Sequence, residues 1–303
     1  MIVTDIYSGL GNQMFQYAYG RALQEKYKDK LVLNYYPLIR NKTIRSYSLN
    51  HFKLNDSVII PDLKTMSRLD FISKIKRRVL VLNNTDKLHG EKTFYRLAAQ
   101  GMFANHDVYN YSPNEKCNKK NKYVIGFWQS EKYFRNISEE IKKEFEIITP
   151  PSEENKKLLE EIQKENAVCV HIRRGDYLTT PGLDICNEKY YKDGMKYIAD
   201  RVVDPVFYIF SYSSKDIKWI KENYKFDYQV KYVDLNNPDY EELRLMIACR
   251  HFVISNSTFS WWAQYLSKSD NKIVIAPSKW NAEGKQQDKD IYMDNWTVID
   301  IND

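Results

Sequence analysis

A short apolar run, Val168-Cys169-Val170-His171-Ile172, empties directly into Arg173-Arg174-Gly175-Asp176-Tyr177, and no other stretch of the chain concentrates as much chemistry. Arginine stays charged at any working pH and presents a planar fork of donors that takes phosphate oxygens in pairs, so two of them at a strand terminus suit a diphosphate. Gly175 allows the sharp turn such a site needs. The alternative is a surface ion pair of either arginine with Asp176. Position at a strand end, with a second site of matching kind further on, favours the anion site. That second site is Ser255-Asn256-Ser257-Thr258-Phe259-Ser260, which follows the apolar run Phe252-Val253-Ile254 and opens a helix. Small hydroxyls and free backbone amides at a helix start cradle phosphate. The same residues also read as an ordinary cap over Trp261 and Trp262, both expected in the core, and the two readings are compatible.

Two further motifs lie in the first half. Gly9-Leu10-Gly11-Asn12-Gln13-Met14 has the outline of a dinucleotide fingerprint, but Met14 occupies the third glycine position and no acidic residue ends the second strand. A nicotinamide cofactor is therefore disfavoured. What remains is a glycine turn at a helix N-terminus, with the Asn12 and Gln13 amides able to bond hydroxyl groups; Asn12 as a plain helix cap is equally open. Gly126-Phe127-Trp128-Gln129-Ser130-Glu131 places aromatics, an amide and a carboxylate after a strand, near the expected cleft. Asp288-Lys289-Asp290 repeats a metal-holding pattern, but it lies in a polar tail rather than after an apolar strand, and no metal is assigned to it. His51, His89, His106 and His251 are scattered without ligand spacing.

The elements that must position these residues alternate. Ile2 to Tyr7 is strand-like, Ser8 to Gly11 a turn, and Met14, Phe15, Tyr17, Ala18, Ala22 and Leu23 recur at helical spacing. Leu31 to Tyr35, Val79 to Leu82 and Tyr123 to Phe127 read as further strands, with 36–70 and 84–120 irregular. Pro150-Pro151 ends the first half, since neither proline continues a helix or donates to a ladder. Beyond it, a helix over Glu153 to Glu165 and strands at 168–172, 206–210, 228–233, 252–255 and 273–276 alternate with helical stretches, which predicts a parallel sheet wrapped by helices. A helix over Tyr240 to Arg250 carries Asp239 as cap with Glu242 three residues on. Ligands of such sheets sit at the carboxyl ends of strands, where His171 to Tyr177 and Ser255 to Ser260 both fall. The prediction is two α/β domains, 1–150 and 151–303, with a cleft between them.

Composition bounds the class. At 303 residues, 43% hydrophobic and 28% charged, the chain is an ordinary folded protein, not disordered or fibrous. A net charge of +6 is spread out rather than concentrated, so nucleic acid is not an expected partner. The one dense basic cluster, Lys74-Ile75-Lys76-Arg77-Arg78, reads either as a solvated helix face or as a contact for acidic lipid headgroups. Four scattered cysteines form no disulfide framework, and neither a leader nor an 18-residue apolar run is present. The expectation is a cytoplasmic protein, with peripheral contact at the inner face of a membrane left open.

Taken in order, Gly9 to Ala18, Gly126 to Phe134, His171 to Tyr177 and Ser255 to Trp262 resemble the bacterial-type α-1,2-fucosyltransferases of glycosyltransferase family 11, over essentially the full length. Pro277-Ser278-Lys279-Trp280 and Asp290-Ile291-Tyr292 fit the same pattern. The resemblance implies a GT-B-like fold of two facing Rossmann-like domains and inverting transfer of L-fucose from GDP-β-L-fucose to the 2-hydroxyl of a galactose-terminated glycan, free or lipid-linked, without metal or cofactor. It implies catalytic roles for Arg173, Asp176 and His171. Donor contacts fall to Arg173, Arg174 and Asn256, Ser257, Thr258, Phe259 and Ser260, and an acceptor or fucose side to Gly11, Asn12, Gln13, Gln129 and Glu131. Asp176, His171 and Glu131 are the candidates for taking the acceptor proton. One departure stands out: relatives carry an Asp-Asp pair where this chain has Phe210-Ser211-Tyr212-Ser213-Ser214, which leaves the guanosine contacts there unassigned. Transfer to another position, such as an α-1,6 linkage, and an inactive nucleotide-sugar or glycan-binding module are the alternatives.

Overall fold

Short apolar strands separated by helices give a chain that closes parallel ladders by crossovers, and both sheets are parallel throughout. The computed structural model describes residues 1–42, 45–82, 91–105, 107–113, 117–282 and 289–301; His89, His106 and Asp288 lie outside them. The chain divides into two compact units, Met1–Ile148 with Lys289–Ile291, and Thr149–Asp288 with Tyr292–Asp303.

In the first unit, β1 (Ile2–Asp5), α1 (Leu10–Tyr27), β2 (Leu31–Asn34), α2 (Tyr36–Arg40), α3 (Leu63–Leu82), α4 (Glu91–Ala99), β3 (Met102–Ala104), β4 (Lys122–Ile125) and α5 (Ser138–Glu144) follow one another. The strands form a parallel sheet in the order β2-β1-β4-β3, with Val3 facing both Val32 and Tyr123. Helix α1 is buried on nearly every side from Leu10 to Gln24, its polar Gln13, Gln16, Arg21 and Gln24 included. Its one buried cation, Arg21, is held by Glu144 of α5 through Nε and Nη2 at 3.0–3.1 Å, and Tyr17 donates to the same carboxylate at 2.6 Å. A buried charge of this kind persists only because it is fully partnered.

The second unit adds α6 (Glu153–Lys164), β5 (Asn166–Ile172), α7 (Glu188–Ala199), β6 (Pro205–Ser211), α8 (Ser214–Asn223), β7 (Val230–Tyr232), α9 (Asp239–Ala248), β8 (His251–Val253), α10 (Thr258–Leu266), β9 (Val274–Pro277) and β10 (Thr297–Ile299). Its sheet is parallel throughout, in the order β10-β9-β8-β5-β6-β7. One face of β5, through Val168, Val170 and Ile172, packs on Tyr190, Tyr191, Met195 and Ile198 of α7 and on Ile217 and Ile220 of α8. Both faces being covered explains why the central strands are apolar without alternation.

Three expectations are corrected. Val79 to Leu82 is not a strand but the end of α3. A four-residue β-prone run there is overridden by the spacing of Met66, Asp70 and Ser73, which bury one side of a continuous helix. The segments 36–70 and 84–120 are not irregular throughout, since α2, α4 and β3 fall in them, each too short to show a period. The N-cap of α9 is Pro238, with no side-chain cap; Asp239 is inside the helix, and the Glu242 carboxylate accepts from Asn237 at 3.3 Å. No described helix is long and apolar enough to cross a membrane.

Candidate active site

Strands β5 and β6 pair along their full length, with His171 opposite Phe210 and Ile172 opposite Ser211 at their carboxyl ends. The loops leaving these two ends build the site. Arg173 is only 12% exposed; its Nη2 donates to Asp176 Oδ1 at 2.5 Å, and its guanidinium stands 5.0 Å from the Tyr177 ring centre and 4.6 Å from that of Tyr212. Arg174 lies flat on Trp219, 3.3 Å from the ring centre, with Nε 3.8 Å from Asp216 Oδ1. Asp216 is itself fixed by Ser213, the cap of α8, whose Oγ lies 2.7 Å from Oδ2.

Each arginine is thus oriented by aromatic faces and touched by one carboxylate, and each keeps a buried Nε with no hydrogen-bond partner among the described residues. Orphan guanidinium donors of this kind are costly unless something anionic takes them. Directly after the arginines the backbone passes through Gly175 at φ +57°, where a Cβ would stand 2.4 Å from Tyr212 Cδ1. The turn therefore needs glycine twice over, for its dihedral and for its space. Arg174, Tyr212, Ser213, Lys215, Asp216 and Trp219 line a cavity of about 300 Å³ beside it.

Behind the arginines the structure is closed. His171 is 2% exposed, with Nδ1 3.0 Å from Ser255 Oγ and its ring against Phe259. Burial, with Arg173's charge added, pushes its pKa down to about 3, so the imidazole is neutral. Asn256 donates to the carbonyls of Leu183 and Trp280, each at 3.0 Å, and its own carbonyl accepts from Tyr177 at 3.0 Å. Ser257 caps α10 by accepting from Phe259 N, and Ser260 donates to the Ser257 carbonyl. Thr258 and Phe259 are half-buried at the helix start, while Asn256, Ser257 and Ser260 are buried. Trp261 and Trp262 are buried in the core, as expected.

In the first unit, the loop after β1 turns through Ser8 at φ +70° into α1, which Gly9 caps without a side chain. Asn12 is inside the helix rather than at its cap: its amide donates to Ser8 Oγ at 3.0 Å, and its carbonyl oxygen accepts from Gln129 at 2.6 Å. Gln13 is fully buried, donating to the carbonyls of Ser8 and Ser46 and accepting from Ser48 N. Gly11 is buried beside it. Gln129 follows Trp128, a buried tryptophan at φ +56° whose ring lies 4.2 Å from that of Tyr19, tilted by 33°. A bulky residue in that region is strained and persists only because its surroundings over-determine it. Glu131 is 19% exposed and pairs with Arg135 at 3.2 Å. Asn12 and Gln129 are thus brought together by the fold. The wall residue Trp219 and the anchor Asp216 were not singled out from sequence, and Tyr177 and Tyr212 only as members of their motifs; the position of Ser211–Ser214 at the end of the strand beside β5 was the available signal.

The sequence model of glycosyl transferase family 11 matches residues 1–300. An α-1,2-colitosyltransferase of Escherichia coli is 30% identical over 310 residues, covering 99% of both chains. The O-antigen biosynthesis glycosyltransferase WbnK of Escherichia coli is 32% identical, over 95% of this chain and 97% of that one. Galactoside α-(1,2)-fucosyltransferase 1 of Saimiri boliviensis boliviensis is 28% identical over 48% of this chain and 43% of its own. Among solved structures, fucosyltransferase NodZ from Bradyrhizobium superposes with a TM-score of 0.51 at 11% identity, over 87% of this chain and 92% of that one. A variant of Arabidopsis thaliana FUT1 in complex with GDP does so at 0.50 and 12%, over 90% and 69%. These likenesses show the GT-B-type fold that the resemblance implied. With that fold, the paired arginines at the end of β5 and a family match over nearly every residue, the chain belongs to glycosyl transferase family 11.

Proposed function

We propose that the protein transfers L-fucose from GDP-β-L-fucose to the 2-hydroxyl of a galactose-containing glycan, with inversion and without a metal ion. The acceptor oxygen attacks the anomeric carbon as its bond to the diphosphate oxygen breaks; GDP leaves with the electron pair, and the acceptor proton passes to a carboxylate. The charge that develops on GDP requires fixed positive partners. The observation that carries this reading is the pair of guanidiniums at the carboxyl end of β5, Arg173 and Arg174, each with a buried Nε that has no hydrogen-bond partner among the described residues. The diphosphate takes Arg173 from Asp176, which ends that ion pair, while Ser257, Thr258 and Phe259 offer the start of α10 to the donor.

Asn256 and Ser260 support this donor wall through their bonds to neighbouring loops, and neutral His171 supports it through Ser255. An imidazole with a pKa near 3 is a poor proton acceptor at neutral pH, so Asp176 and Glu131 carry that role in this reading. Gly11, Asn12, Gln13 and Gln129 shape the fucose or acceptor side. The colitosyltransferase relative gives one competing donor, since colitose is fucose without its 3-hydroxyl. The test is transfer by the purified protein from GDP-fucose or GDP-colitose to galactose-terminated sugars, with NMR assignment of the linkage, in chelator and in magnesium. Activity that needs the cation, or a product other than the α-1,2 isomer, overturns the reading.

A further inference from the structure

Helix α3 presents its apolar residues on the wrong side for a soluble surface. Met66, Asp70 and Ser73 are buried against the first unit, whereas Leu63 is 52% exposed, Phe71 63%, Ile72 38%, Ile75 48% and Val79 48%. Among the described residues, five of the thirteen large hydrophobic side chains that face solvent fall on this one helix, which makes them a patch rather than scatter. At 100° per residue, Phe71, Ile75, Val79 and Ile72 cover an arc of about 100°. Lys64 and Arg68 lie within that arc and Arg78 along its edge, while Lys74 lies about 60° outside it. The helix carries six basic residues and one acid, Asp70, which lies on the inward side and pairs with Arg40 and Lys74.

We infer that this face of α3 docks on an anionic phospholipid surface. Two copies of the face would bring their cations together, so the charge opposes a self-association. Protein interfaces keep charge out of their apolar centre. Here cations are interleaved with the apolar residues, the arrangement in which long basic side chains reach headgroups while phenylalanine and isoleucine enter the acyl boundary. Lys76 takes no part: it donates to the carbonyls of Gly101 and Asn121 and stands over the Tyr123 ring. The inference is independent of the transfer reaction, because vesicle binding needs no turnover.

The experiment is sedimentation of the full chain with phosphatidylcholine vesicles, with and without phosphatidylglycerol, at low and raised salt. Binding is expected on the anionic vesicles only and weakens as salt rises. Phe71→Ser with Ile75→Ser lowers the partition coefficient about 30-fold or more, and Arg68→Gln with Arg78→Gln lowers it about fivefold per charge. Unchanged thermal unfolding of both variants separates this from misfolding. Absence of binding to anionic vesicles, equal binding to neutral ones, or binding by the variants at the parental level overturns the inference. So does a parental dimer that the Phe71→Ser, Ile75→Ser variant dissociates, since a second copy then covers the face.

Discussion

The loop after β5 and the loop after β1 occupy equivalent places, each at the carboxyl end of a parallel strand, yet they use their polar residues in opposite ways. Arg173 and Arg174 are held by ring faces and single carboxylates, leaving donors over. Asn12, Gln13 and Gln129 consume their amides on one another, on the Ser8 hydroxyl and on the backbone. Polarity at a strand end is therefore not by itself a binding site; what distinguishes one is hydrogen-bonding capacity that the fold does not spend.

Removing the unspent capacity has the largest expected effect. Arg173→Ala lowers kcat/KM about 100-fold or more, at least about 3 kcal/mol, with the melting temperature nearly unchanged. Arg173→Lys restores little of it, because a point charge does not replace the fork. Full activity in either variant breaks the comparison. Gln13→Ala should do the reverse. It removes the Gln13 amide from the Ser8 and Ser46 carbonyls and from Ser48 N, three buried or part-buried hydrogen bonds whose loss lowers unfolding free energy by about 2–4 kcal/mol in urea titrations. The folded fraction keeps its affinity for GDP.

Smaller effects sharpen the contrast. His171 is held neutral with a pKa of about 3, against about 6.5 when unfolded. Below pH 6.5 the unfolded chain takes up a proton that the folded one refuses. Stability is therefore lost as pH falls, by at most about 1.4 kcal/mol per pH unit. His171→Asn should flatten that limb relative to the parent in parallel melts. Gly175→Ala drives a Cβ into Tyr212 and is expected to weaken GDP binding by about tenfold, near 1.4 kcal/mol. Adding Tyr212→Ala relieves the clash but not the dihedral, so calorimetry on the pair should recover only part of the loss.

How much of this was legible in sequence follows the same division. The placement of Arg173, Gly175 and Asp176 at a strand end was readable because an unbroken apolar run, β5, delivers them. The parallel sheet of the second unit followed from strands long enough to show their run. The contacts of Tyr212 and Trp219 with the arginines were not readable, because they join the loop after β5 to the loop after β6 and to α8 through a strand pairing that no local pattern states. Helix α3 was misread at Val79 to Leu82 for a related reason. An exposed apolar face breaks the ordinary rule that the hydrophobic side of a helix points inward, so its period gave no orientation.

The residues Lys289–Ile291 belong to the first unit although the sequence around them belongs to the second. Asp290 accepts from Tyr111 N and Lys132, and its carbonyl accepts from Ser130. A cut after Ile148 would therefore not release an intact N-terminal half. Shuffling halves between relatives would have to carry these three distant residues along with the first 148, or leave Lys132 and Ser130 beside the Gln129 loop facing a stranger's tail.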